Sequence, residues 1–134
     1  MASDRDLYSG VMQLANLLTR RLGPVFEKAK ISPQQWAVLK AVADSDGPTT
    51  LAAVARTLMV TKQNMTGMVT RLAEAGLLER SDDPDDLRSS RVQLTRRGRA
   101  MVERLRPAYD EFLASLDSTA LARAIGRLLD SLDS

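Results

Sequence analysis

Between Thr49 and Thr95 the chain reads as two short helices followed by a pair of short strands around a polar turn, and this stretch limits the possible folds more than any other. Thr50 can cap the first of these helices, with Leu51, Val54, Ala55 and Leu58 facing inward, and small residues at 52, 53 and 55 permit close helix contact. Thr61 caps the second. Met65, Met68, Val69 and Leu72 form its buried stripe, and Gly76 followed by Leu77 marks a left-handed stop with an apolar clasp. Strands are then expected from Leu77 to Ser81 and from Arg91 to Leu94, where Val92 and Leu94 alternate with Arg91 and Gln93. They enclose a loop running from Asp82 to Ser90.

Helices flank this segment on both sides. Leu7, Val11, Leu14, Leu18, Leu22 and Val25 recur at three- and four-residue spacing, giving a first helix with one apolar side and Gly23-Pro24 near its end. Ser32-Pro33-Gln34-Gln35 announces the next: a Ser cap, Pro at the first helical position and Gln three residues after the cap, with Trp36, Leu39 and Ala43 on the buried face. Asp46-Gly47-Pro48 breaks the pattern. Thr95 caps a long helix with apolar positions Met101, Val102, Leu105, Tyr109, Phe112 and Leu116, and Pro107 should bend it or mark a junction. A last helix, opened by Asp117 or Ser118, carries an apolar seam of Leu121, Ile125, Leu128, Leu129 and Leu132 that calls for a partner.

Two helices and a hairpin in this order have the layout of a winged helix-turn-helix, a shape suited to double-stranded DNA. Steps of about 100° per residue place Gln63, Gly67, Thr70 and Glu74 opposite the buried stripe of the helix capped by Thr61, with Thr66 on one flank and Asn64 and Arg71 on the other. Apart from Glu74 this face is neutral or basic. Glycine inside an exposed helix costs about 1 kcal/mol relative to Ala, so Gly67 makes sense where another body approaches the backbone. Gln63 and Asn64 can pair with adenine, and Arg71 with guanine or phosphate. Glu74 implies that the amino-terminal half of the helix enters the major groove. The alternative is an ordinary solvated face.

In the loop, Asp82, Asp83, Asp85 and Asp86 lack the central Gly and late Glu of an EF-hand. Some of these carboxylates are expected to brace Arg88 or Arg91 for entry into a narrow minor groove. Arg96, Arg97 and Arg99 oppose the macrodipole of the helix they open, by roughly 0.3–1 kcal/mol each; phosphate contacts are one explanation and a surface cluster the other.

Composition narrows the functions. The chain has 134 residues, enough for one domain that buries about 68% of the surface its unfolded form exposes. No cysteine and no histidine occur, which excludes disulfides, thiolate metal sites, thiol redox sensing and the commonest general base. The formal net charge is only +2, so basic patches must be local. No nucleophile with a neighbouring base, phosphate-cradling glycine loop or metal cluster is recognisable, and neither catalytic residues, metal ligands nor a cofactor are expected. No apolar run is long enough to span a bilayer, and the amino terminus lacks the charged-then-apolar order of a signal peptide; the expected location is the cytoplasm.

Ala75-Gly76-Leu77-Leu78-Glu79-Arg80, then Asp86-Leu87-Arg88, then Val92-Gln93-Leu94-Thr95-Arg96-Arg97-Gly98, in this order and spacing, resemble the wing of the MarR family of bacterial transcription regulators. Val54-Ala55, the run from Thr61 to Leu72 and the order of helices extend the resemblance over nearly the whole chain. The family often has Arg where Leu87 and Gly67 stand. The resemblance implies a mainly α-helical fold in one MarR-like domain, residues 1–134: a winged helix-turn-helix lobe over about 31–99, and dimerisation helices over about 1–30 and 100–134. It implies a homodimer placing two recognition helices in successive major grooves of a pseudopalindromic operator and two wings in the flanking minor grooves. Arg88 is then the minor-groove arginine and Asp86 its support. The candidate DNA-contacting residues are Lys62, Gln63, Asn64, Thr66, Gly67, Thr70, Arg71, Arg88 and Arg91.

The function so implied is a sequence-specific transcriptional regulator, a repressor relieved by a small amphipathic or aromatic effector in a cleft between the two lobes. Trp36, Tyr8 and several methionines could line such a cleft or simply belong to the core, and no ligand-binding residue is assigned. The competing reading is a winged-helix protein-interaction module without DNA binding, favoured by Glu74 and the acidic loop.

Overall fold

The computed structural model describes residues 6–83 and 86–133, with the side chains of residues 83 and 86–89 outside that description. Side chains that bond their own backbone fix the start of most helices. Asp6 accepts the Ser9 amide at the head of α1 (Leu7–Glu27). Ser32 and Gln35 exchange reciprocal bonds of 3.0 and 2.8 Å to open α2 (Pro33–Asp44), the capping box expected from sequence. Thr50 accepts from Ala53 at α3 (Leu51–Leu58), Thr61 from Asn64 at α4 (Lys62–Glu74) and Thr95 from Gly98 at α5 (Arg96–Ser115). A sixth helix, α6, covers Thr119–Asp133.

The helices enclose a three-stranded antiparallel sheet in the order β1 (Thr49–Thr50), β3 (Asp86–Leu94), β2 (Leu78–Asp83). Leu78 pairs with Leu94 and Arg80 with Val92, and the register slips between Ser81 and Asp83. Alternation points Leu78, Val92 and Leu94 into the core beside Val38 and Leu39 of α2, Leu51 and Val54 of α3, and Met65, Val69 and Leu72 of α4. α4 ends as expected: Gly76 takes φ +77°, its N–H donates to Ala73, and the Leu77 N–H reaches back to Leu72 at 2.9 Å. Trp36 stacks on Phe26 of α1 at 5.7 Å between centroids and tilts against Tyr109 of α5 at 5.2 Å, joining the flanking helices to the central lobe.

Thr95 ties the hairpin to the start of α5. Thr95 donates its hydroxyl to the Gly76 carbonyl and its N–H to the Leu77 carbonyl. A Cβ on Gly98 would fall inside that same Leu77 carbonyl, so Gly98 is required by the packing of α5 on the hairpin.

Several expectations need correction. The hairpin strands run further than Leu77–Ser81 and Arg91–Leu94: much of the expected loop is strand, because the backbone ladder continues where apolar alternation has stopped. β1 was not anticipated. Ala43 is only half-buried, while Val38 and Val42 are buried beside Trp36 and Leu39, since both α3 and β3 pack on α2. Gly23-Pro24 lies near the end of α1, as expected, without stopping it before Glu27, and Pro107 lies within the single helix α5 and marks no junction. The seam of the last helix agrees with the expectation: no residue of α6 is buried and Leu132 is 74% exposed, and the apolar face of α1 is also largely uncovered, with Tyr8 75% exposed.

Candidate nucleic-acid interface

α4 is held by its buried stripe, which turns the opposite face outward. Lys62, Gln63, Asn64, Thr70 and Arg71 are exposed, and Thr66 and Gly67 are half-buried. Thr66 and Thr70 donate their hydroxyls to the carbonyls of Lys62 and Thr66 at 2.9 and 2.8 Å. Their remaining outward capacity is as acceptors and methyl groups. A Cβ on Gly67 would meet only the Arg71 guanidinium, at an ordinary 3.6 Å. Nothing among the described residues therefore demands glycine there. The free N–H groups of the first turn add partial positive charge to the end carrying Lys62, Gln63 and Asn64, while Glu74 is exposed at the far end.

On the hairpin Arg91 is exposed and makes no ion pair among the described residues. The side chains of Asp86 and Arg88, the expected wing pair, lie outside the described residues. The aspartate brace among the described side chains falls on Arg80 and not on Arg91. Asp82 accepts from Arg80 Nε at 3.0 Å and from Ser90 Oγ at 2.7 Å, and Arg80 Nη2 reaches Ser90 Oγ at 3.3 Å. The Ser90 hydrogen bond chiefly, and that of Arg80, hold the Asp82 carboxyl below the usual aspartate range. Sequence reading missed this trio; the period-two spacing of 78, 80 and 82 against 90, 92 and 94 was the signal for it. Of the arginines opening α5, Arg99 donates to the Leu94 carbonyl at 3.1 Å, a local structural bond, and the Arg97 guanidinium lies over Gly76.

A cleft of about 560 Å³ opens between the flanking helices and the central lobe, walled by Leu18, Phe26, Trp36, Leu58 and Tyr109. Trp36 lines it, as the sequence allowed, but Tyr8 and the methionines do not. The Trp36 indole N–H is buried without a partner among the described residues. At the rim Lys40 and Arg106 grip Asp44 at 2.8 and 2.9 Å, linking α2 to α5. The Lys40 hydrogen bond above all, then that of Arg106, lowers the Asp44 carboxyl from its ordinary value against a desolvation penalty. Among the described residues no group of His, Cys, Asp or Glu could hold a metal ion, and no helix is long and apolar enough to cross a membrane.

Known proteins with this arrangement are numerous. Residues 29–89 match the family model described as MarR family. The transcriptional activatory protein BadR of Rhodopseudomonas palustris is 31% identical over 134 residues, an alignment covering 95% of this chain and 77% of the relative. NadR, solved in complex with 4-hydroxyphenylacetate, superposes with a TM-score of 0.73 at 26% identity, covering 96% of this chain and 89% of that one. The MepR–DNA complex of S. aureus shares the fold, with a TM-score of 0.79 at 20% identity and coverage of 95% and 96%. The chain belongs to the MarR family of transcription regulators.

Proposed function

We propose that this protein is a sequence-specific, homodimeric DNA-binding repressor of transcription without catalytic activity, acting in the cytoplasm. The observation carrying this reading is the outer face of α4: a helix amino terminus bearing Lys62, Gln63 and Asn64, then Thr66, Thr70 and Arg71 around a glycine that no internal packing requires. Such a face offers amide groups that can donate to N7 and accept from N6 of adenine and a guanidinium that can donate twice to guanine, and it allows close approach of a groove wall. Arg88 and Arg91 of the hairpin are assigned to the flanking minor groove, with Asp86 supporting Arg88.

The central lobe, about 31–99, is the reader. The helices of about 1–30 and 100–134 are the dimerisation lobe, and their uncovered apolar faces support that assignment. Two copies joined there would offer two recognition helices to one duplex, and the DNA and ligand complexes of MepR and NadR show relatives bound to each partner class. A small amphipathic aromatic effector fits the cleft walled by Phe26, Trp36 and Tyr109, where it would shift the flanking helices against the reader lobe and relieve DNA binding.

Affinity for a duplex selected from a random pool, measured from 50 to 200 mM salt, tests the reading. If some 6–10 phosphates are neutralised, affinity falls by about 10³- to 10⁵-fold. Salt-insensitive binding, or retention of no duplex, would refute it and favour a protein-interaction module.

A further inference from the structure

We infer that Asp82, Arg80 and Ser90 form a positioning lock at the root of the hairpin, which sets the direction in which its tip leaves the protein and hence its grip on the minor groove. The inference rests on the DNA-binding reading above. Leu78, Val92 and Leu94 occupy the core-facing positions nearest α5, and Ser90 continues the same side of β3 outward with only 1% exposure. A serine so enclosed must have its hydroxyl satisfied. It donates to Asp82 and accepts from Arg80, and Arg80 closes the ring through Nε to the same carboxylate oxygen.

Three polar side chains thus replace apolar packing where the core ends and the projecting part of the hairpin begins. They tie β2 to β3 across eight and ten residues of sequence. The register slip between Ser81 and Asp83 falls on the lock itself, and an irregularity of that kind bends a strand and increases its twist. The bend supplies a change of direction and the hydrogen-bonded ring fixes it. Asp82 touches no nucleic acid in this scheme. It acts through Arg80, Ser90 and the backbone they hold.

The sign of one substitution separates this role from plain electrostatics. Asp82→Ala removes a negative charge from a surface that faces phosphates, which by charge alone strengthens DNA binding. Loss of the lock predicts the opposite. Binding is compared on two duplexes that share the selected half-sites but carry A·T or G·C pairs in the flanks, where the minor groove distinguishes the two. Asp82→Ala should weaken binding to the A·T-flanked duplex by about tenfold, bring the two duplexes to nearly equal affinity and leave half-site preference unchanged. Ser90→Ala, which alters no charge, should move both readouts the same way, and it serves as the decisive variant if Asp82→Ala does not fold. Unchanged or tighter binding with flank preference intact in the folded variants would overturn the lock. If wild-type protein retains no duplex at all, the DNA-binding reading itself fails, and that is seen before any variant is made.

Discussion

Replacing Gly67 with Ala should make the protein more stable and a poorer DNA binder at once. Gly67 sits in the middle of α4 with no internal neighbour that a methyl group would displace; the Arg71 guanidinium 3.6 Å away is the end of a flexible chain. Alanine therefore recovers the helix propensity that glycine forgoes, about 1 kcal/mol. For a domain of this size that corresponds to a rise of roughly 3–5 °C in Tm, read by circular dichroism at fixed protein concentration. On the outer side the same methyl lies at the centre of the proposed contact face, between Gln63 and Thr70. Holding the groove wall away there should cost about 1.4 kcal/mol, or tenfold in affinity, the scale of one displaced base contact. Fluorescence anisotropy with the selected duplex measures this in the same buffer. A variant that is more stable and binds equally well would show that nothing approaches residue 67, and the main reason for assigning this face to DNA would be gone.

Gly98→Ala should be the opposite kind of change: its Cβ would overlap the Leu77 carbonyl, forcing α5 off the hairpin and lowering stability by about 3 kcal/mol in urea unfolding. Met59 closes α3 in the left-handed region at φ 57° with its side chain exposed, so Met59→Gly should raise stability by about 1 kcal/mol, visible as a higher unfolding midpoint. Asp44 and Asp82 both have carboxyls lowered in the folded state. Their contribution is fully present above the unfolded value of about 3.9 and is lost as pH falls through the lowered folded values. Asp44→Asn should accordingly flatten part of the fall in stability on acidification, and an unchanged acid limb would remove Asp44 from the account.

Much of the fold was legible because its signals are local. Ser32-Pro33-Gln34-Gln35, Thr61 and Thr95 each satisfy amide groups within three residues, and Gly76-Leu77 ends α4 through a bond back to Leu72; none of these needs the rest of the chain. The hairpin was read too short for the converse reason. Asp82 and Ser90 look like loop residues, and their place in strands depends on pairing across a turn. The lock with Arg80 needs the register that pairs Leu78 with Leu94 to continue to Asp82 and Ser90, and that register is set by pairing across the turn, not by local composition. Asp44 meets Arg106 across 62 residues, and Trp36 meets Tyr109 across the cleft, so the link between lobes was equally hidden. The apolar seams of α1 and α6 were plain in the sequence, yet nothing among the described residues covers them.

The most direct test is a footprint on the duplex selected from a random pool. Two dimer-related copies of α4 on one face of DNA predict two inverted half-sites with centres about 10–10.5 base pairs apart, roughly 34–36 Å, flanked by protection of the adjoining minor groove. A single protected half-site, or two half-sites on opposite faces of the helix, would contradict the paired-reader geometry on which the account depends.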